Sequence, residues 1–109
     1  FGIDGEAAMD EWIDQALADV RVDVAFLGTN GFSLDRGFST PDQVEAAAKK
    51  AMLRSARRAI VVTDSSKAGQ EHFHRFARLD EVAMLITDAG LDDETADQLD
   101  SAGLDVARA

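Results

Sequence analysis

The chain has 109 residues, no cysteine and a formal net charge of −10. That length holds one domain with one core, and the 46% hydrophobic content is that of a globular protein rather than a disordered one. The acidic balance argues against direct nucleic-acid binding, and the missing cysteines exclude disulfides and thiolate metal sites. No apolar run approaches the roughly 20 residues of a membrane span. The chain begins at Phe1 rather than methionine, as expected of a piece of a longer protein.

In chain order, Asp4 suits a helix N-cap, and Ala8, Met9, Trp12, Ile13, Ala16, Leu17 and Val20 make one apolar stripe at helical spacing. Val22 to Leu27 reads as a strand that is apolar on both faces, as in a parallel sheet. The segment from Gly28 to Thr40 holds Gly28, Gly31 and Gly37 and reads as a loop. Glycines there either make turns or let backbone amides approach an anion closely. Thr40-Pro41-Asp42-Gln43 predicts a helix start, with Thr40 as cap, Pro41 at the first helical position and Gln43 completing a capping box. The helix is expected to reach about Arg57, with Glu45 and Lys49 as an i,i+4 pair. Lys49, Lys50, Arg54, Arg57 and Arg58 are read as complementing its C-terminal dipole.

Ala59 to Thr63 predicts a second strand, ending in Asp64-Ser65-Ser66-Lys67. A lysine just past a strand end is well placed for a phosphate, although a capped turn explains the same tetrapeptide. His72 and His74 lie two apart, a spacing that suits either a metal pair or a loop packing Phe73 and Phe76 inward; with no third convincing ligand no metal is expected. Val82 to Thr87 predicts a third strand ending in Asp88-Ala89-Gly90. Asp92 caps a helix that Gly103 ends, and Leu104-Asp105-Val106 is a final short strand. This βαβ alternation places candidate ligand loops beyond the carboxyl ends of the strands.

The residues Val22 to Gly31, Gly37-Phe38-Ser39-Thr40-Pro41, Glu45 with Lys49-Lys50-Ala51-Met52, Asp64 to Lys67 and Leu85 to Asp88 together resemble the effector-sensing domain of the DeoR family. These are bacterial regulators of sugar catabolism, and the Gly-Phe-Ser-Thr-Pro segment is most similar to the fructose-operon branch. The resemblance implies a Rossmann-like α/β fold, a mostly parallel sheet with helices on both faces, similar to ribose phosphate isomerase and glucosamine phosphate deaminase. It implies a cytoplasmic module that binds a phosphorylated sugar and so controls DNA binding by an N-terminal winged helix-turn-helix. It places Gly28, Thr29, Asn30 and Gly31 on the isomerase's active-site loop, Glu45 where the isomerase keeps its base, and Asp64 and Lys67 on a strand-end signature that contacts the sugar phosphate.

The winged helix and the glycine-threonine phosphate loop of the family's first half-domain are not in this sequence, so DNA contact is expected only through that absent domain. Asn30 stands where the isomerase loop carries an acid, which removes a proton-moving group and argues against catalysis. No cofactor is implied. The alternative is a fragment of a sugar-phosphate isomerase or deaminase with Glu45 as general base. A sheet cut along one edge is also expected to associate with a second copy.

Overall fold

A computed structural model describes residues 22–109. The expected helix over the Ala8–Val20 stripe, with Trp12 as its anchor, lies outside the described residues. Four strands form a parallel sheet in the order β1, β4, β6, β7: β1 (Val22–Leu27), β4 (Ala56–Val62), β6 (Met84–Thr87) and β7 (Asp105–Arg108). A second, antiparallel sheet is built from β2 (Gly31–Ser33), β3 (Gly37–Thr40) and β5 (His74–Ala77). Helix α1 spans Gln43–Ser55 and α2 spans Asp93–Ser101, with single 3-10 turns at Ser65–Lys67 and Leu79–Glu81.

The strands expected near 22–28, 59–64, 83–87 and 104–106 are therefore present, and the α/β class with a mostly parallel sheet stands. Each new parallel strand adds on the same side of the last. Right-handed crossovers that keep progressing one way all pass over one face. The burial follows: Leu27, Val61 and Leu85, one from each neighbouring strand, join Phe38 and Phe76 of the small sheet, Ala46 of α1 and Leu99 of α2 in a single core. The opposite face of the parallel sheet turns Val24, Phe26 and Val62 outward, all exposed. Both described helices thus lie on one side of the sheet.

Four local readings need correction. Residues 28–40 are not a loop throughout, because Phe32 pairs with Phe38 across a tight antiparallel hairpin. Thr40 does not cap α1. It ends β3, paired with His74 and fully buried, so it is fixed in the sheet; Asp42 caps instead, accepting from Val44 N at 2.9 Å, and Pro41 precedes the cap. The helix also stops at Ser55, and Ala56 opens β4 at once, so Arg57 and Arg58 are exposed strand residues that have no part in the helix dipole. Residues 74–77, taken as loop, are a strand that buries Phe76 and leaves Phe73 83% exposed. Asp92 and the positive-φ Gly103 do bound α2 as expected.

Phe38 is the hinge between the two sheets. It has no exposed surface, and its ring lies 6.4 Å from Phe32 and 6.3 Å from Phe76. Truncating a wholly buried phenylalanine costs about 3–5 kcal/mol. Phe38→Ala is expected to lose that much stability in urea unfolding, and a loss below about 1 kcal/mol would show that the small sheet is not part of the core.

Candidate functional site

The carboxyl ends of β1, β4 and β6 release three loops side by side: residues 28–31, 63–67 and 88–90. Hydrogen bonds join them. Thr63 Oγ1 donates to Thr29 O at 3.4 Å, and Asp88 Oδ2 accepts from Ser65 N at 2.9 Å. The loops at the strand ends are thus joined to one another, with Asp88 as a member that the sequence reading left out of the candidate site. Its position in a polar turn directly after an apolar strand was the available signal.

The first loop is held from below. Thr29 is buried, with Oγ1 2.8 Å from Gly31 O and 3.2 Å from Ser39 O, so its hydroxyl faces the hairpin. Asn30 N donates to Ser39 O at 3.3 Å, and His72 Nε2 donates to Asn30 O at 3.1 Å. His74 instead sets its ring edge-on to Phe73, so the two histidines serve different neighbours. At Gly31 a Cβ would collide with the carbonyl oxygen of Gln70. That contact, more than freedom of φ, requires glycine there, whereas nothing surrounds the Cβ position of Gly28.

Glu45 reaches the loop through Lys49. The two form an ion pair at 3.2 Å, and Lys49 Nζ also donates to Gly28 O at 2.7 Å while sitting 5.0 Å from the centre of the Phe76 ring. The Lys49 side chain is only 13% exposed and that of Glu45 47%. Lys49 is therefore the second residue missing from the sequence-level site. Its pairing with Glu45 was legible, but its reach to the β1 loop needs the tertiary fold.

Asp64 acts first as a cap: its Oδ1 accepts from Ser66 N at 3.0 Å and from the Ser66 hydroxyl. Lys67 follows in the same turn, its N–H donating to Asp64 O at 3.2 Å. Among the described residues no carboxylate forms an ion pair with the Lys67 ammonium. The Ser65 and Ser66 hydroxyls and amides already donate to Asp88 and Asp64, so the donor these loops leave for an oxyanion is the Lys67 ammonium. No group of three His, Asp or Glu side chains among the described residues gathers into a metal site.

Asp88 is held below the ordinary carboxylate range by hydrogen bonds from the Ser65 hydroxyl, then the Ser65 and Gly90 amides.

Fold and loops together define an α/β domain whose candidate site is the set of loops past the ends of its parallel strands. The DeoR C terminal sensor domain matches residues 4–89, and the chain belongs to that family. It is 39% identical over 84 residues to the HTH-type transcriptional regulator GlpR of Haloferax volcanii, covering 77% of this chain and 33% of that protein. It is 40% identical over 74 residues to the uncharacterized HTH-type transcriptional regulator FruR of Bacillus subtilis, covering 68% and 30%. With the HTH-type transcriptional repressor GlcR of Bacillus subtilis the identity is 30% over 92 residues, covering 84% and 35%. The chain spans about a third of the length of these relatives.

Two outcomes follow from the geometry. Gly31→Ala must displace the Gln70 backbone, an overpacking that costs about 1–3 kcal/mol, read as a lower urea midpoint. Gly28→Ala, in open space, is expected to leave the midpoint nearly unchanged. For Asp88 the folded pKa is lowered, so its contribution is present above the unfolded pKa of about 3.9 and is lost as pH falls through the folded value. The stability gap between wild type and Asp88→Asn is expected at pH 7 and to close in acid. A gap that stays constant down to about pH 2 would remove Asp88 from the loop-holding role.

Proposed function

We propose that this chain is the effector-sensing module of a sugar-responsive transcriptional repressor, binding a phosphorylated sugar at the ends of β1, β4 and β6. The observation that carries the reading is the Lys67 ammonium, without a carboxylate partner among the described residues, on a loop bonded to its neighbours at the strand ends. Family membership and the names of the relatives, which are transcriptional regulators, support it. On this reading Lys67 meets the phosphate or a hydroxyl at the anomeric end as a point-charge donor. Asp64 accepts from sugar hydroxyls through the oxygen its cap does not use. The Gly28–Gly31 backbone lines the cleft, and Glu45 approaches from the side of α1. DNA is contacted by a winged helix-turn-helix of the intact regulator, which works in the cytoplasm.

The module is a binder rather than an isomerase. Glu45 is tied to Lys49, and Asn30 occupies the loop position that needs an acid for proton transfer. A turnover assay with aldose and ketose phosphates separates the two, since any isomerisation or deamination above background would favour the enzyme.

The decisive test is a thermal shift with fructose phosphates on the intact regulator and its Lys67→Ala variant. Lys67 is expected to contribute little to folding, so the unliganded Tm stays near wild type. The ligand-induced shift is expected to collapse, reflecting about 1.5–3 kcal/mol for a lost charge-assisted hydrogen bond. Equal shifts in both proteins would place the site elsewhere.

A further inference from the structure

Between the Lys67 turn and β5 the chain leaves the core. Ala68 packs against the core, and Phe76 and Ala77 are buried in it, but none of residues 69–73 between them is buried. They form a strap across the hairpin of β2 and β3. Gly69 N donates to Phe32 O on β2 at 2.8 Å, and the Gln70 carbonyl lies against Gly31. His72 N then donates to Ser39 Oγ on β3 at 2.9 Å, before His74 pairs with Thr40 in β5. One end of the strap carries Lys67. Its other end holds the first strand-end loop, because His72 Nε2 donates to Asn30 O at 3.1 Å.

The strap is fastened by polar bonds. Arg36 at the hairpin turn donates from Nη2 to His72 O and to Phe73 O, both at 3.1 Å. Ser33 Oγ donates to Glu71 at 2.8 Å and accepts from Arg36 N at 3.0 Å. Among the described residues no carboxylate forms an ion pair with Arg36, and its Nε is buried without a hydrogen-bond partner. A buried donor left unpaired carries a desolvation cost, so this fastening holds less firmly than a guanidinium with every N–H paired. Segments with polar bonds and little buried apolar surface are those that open locally while the core stays folded. Gly69, at φ +79 with open space around its Cβ position, gives such an opening its hinge.

We propose that residues 69–73 are a strap that opens apart from the core, latched by Arg36, and that its closing couples the Lys67 turn to the Asn30 loop. Arg36 is then a positioning residue, acting on the candidate site only through the strap. An open strap releases Asn30 O and the bond from Gln70 N to Lys67 O, whereas a closed one holds both. The response to ligand rests on the sugar-phosphate reading above, in which one molecule meets Lys67 and the Gly28–Gly31 backbone together. Such a ligand binds the closed form better and shifts the population toward it. By reciprocity, a change that unlatches the strap weakens binding without touching the ligand.

Hydrogen exchange of the intact regulator, with and without fructose phosphates, tests this. Without ligand, amides 69–73 are expected to exchange at least about ten-fold faster than those of β4, as local opening allows. Arg36→Ala is expected to speed exchange over 69–73, and over 28–31 as well, by about a further ten-fold while β4 is unchanged. If Arg36→Ala does not fold, Arg36→Gln, too short to reach both carbonyls, takes its place. A strap that exchanges only as fast as β4 overturns the proposal, and so does a latch variant that leaves either segment at the wild-type rate. Fructose phosphates are expected to slow exchange over 69–73 in the wild type but not in Lys67→Ala, and to bind Arg36→Ala several-fold more weakly. A ligand-induced rise in Tm without that slowing also overturns the proposal. No rise in Tm at all refutes the sugar-phosphate reading instead, and the strap then stands or falls on the unliganded rates over 69–73 and 28–31.

Discussion

The winding of the parallel sheet governs most of what the domain can do. Because β1, β4, β6 and β7 succeed one another in a single direction, each crossover passes over the same face. That face must then accommodate α1, α2 and a whole second sheet, and their apolar sides merge into one core around Val61, Leu85 and Phe38. The same winding sends the loops after β1, β4 and β6 out along one edge. Site and core are consequently not separable: the hairpin that completes the core through Phe38 also presents Ser39 O to the Asn30 amide of the first loop.

Relative magnitudes decide which contacts fix that loop. A neutral hydrogen bond such as Thr63 to Thr29 contributes about 1 kcal/mol net, and one to a charged group about 1.5–3 kcal/mol. The Lys49 bond to Gly28 O is of the second kind, made by a mostly buried lysine packed against the Phe76 ring to an exposed carbonyl. Its partner Glu45 is far more exposed, and an exposed ion pair adds only about 0–1 kcal/mol. The work of positioning the β1 loop therefore rests on Lys49 and the core beneath it, while Glu45 is the more replaceable member of the pair and the one with freedom to turn toward a ligand.

The parts of this architecture that were legible in the sequence are those where one signal dominates. Val24 to Leu27, Ala59 to Val62 and Leu85 to Ile86 are continuous apolar runs of the kind parallel strands carry, although Val24, Phe26 and Val62 are exposed on the second face. The hairpin was hidden because β2 has three residues and β3 four, each opening on a glycine, so turn signals outweighed strand signals. β5 was hidden because His74 and Arg75 interrupt any apolar alternation before Phe76. At the start of α1 two capping residues compete, and the pairing of Thr40 with His74, 34 positions along the chain, leaves the role to Asp42, the stronger cap of the two. The candidate site divides in the same way. Strand-end residues such as Lys67 can be placed by counting from an apolar run, whereas the roles of Lys49 and Asp88 depend on which loops the fold brings together.

Charge adds a last constraint on the proposed recognition of an anion. The whole chain carries −10, yet at physiological salt charges beyond about 8 Å are largely screened, so the local balance matters most. Around the strand-end loops Lys49 and Lys67 stand against Glu45, Asp64 and Asp88, which leaves no positive field to draw an anion in. Recognition on the proposed reading has to come from a directed bond of the Lys67 ammonium, because the Ser65 and Ser66 hydroxyls and amides already serve Asp88 and Asp64. On that proposal the hydrogen bonds between the loops hold the turn that carries Lys67 in place before a ligand arrives, which lowers the ordering cost of binding.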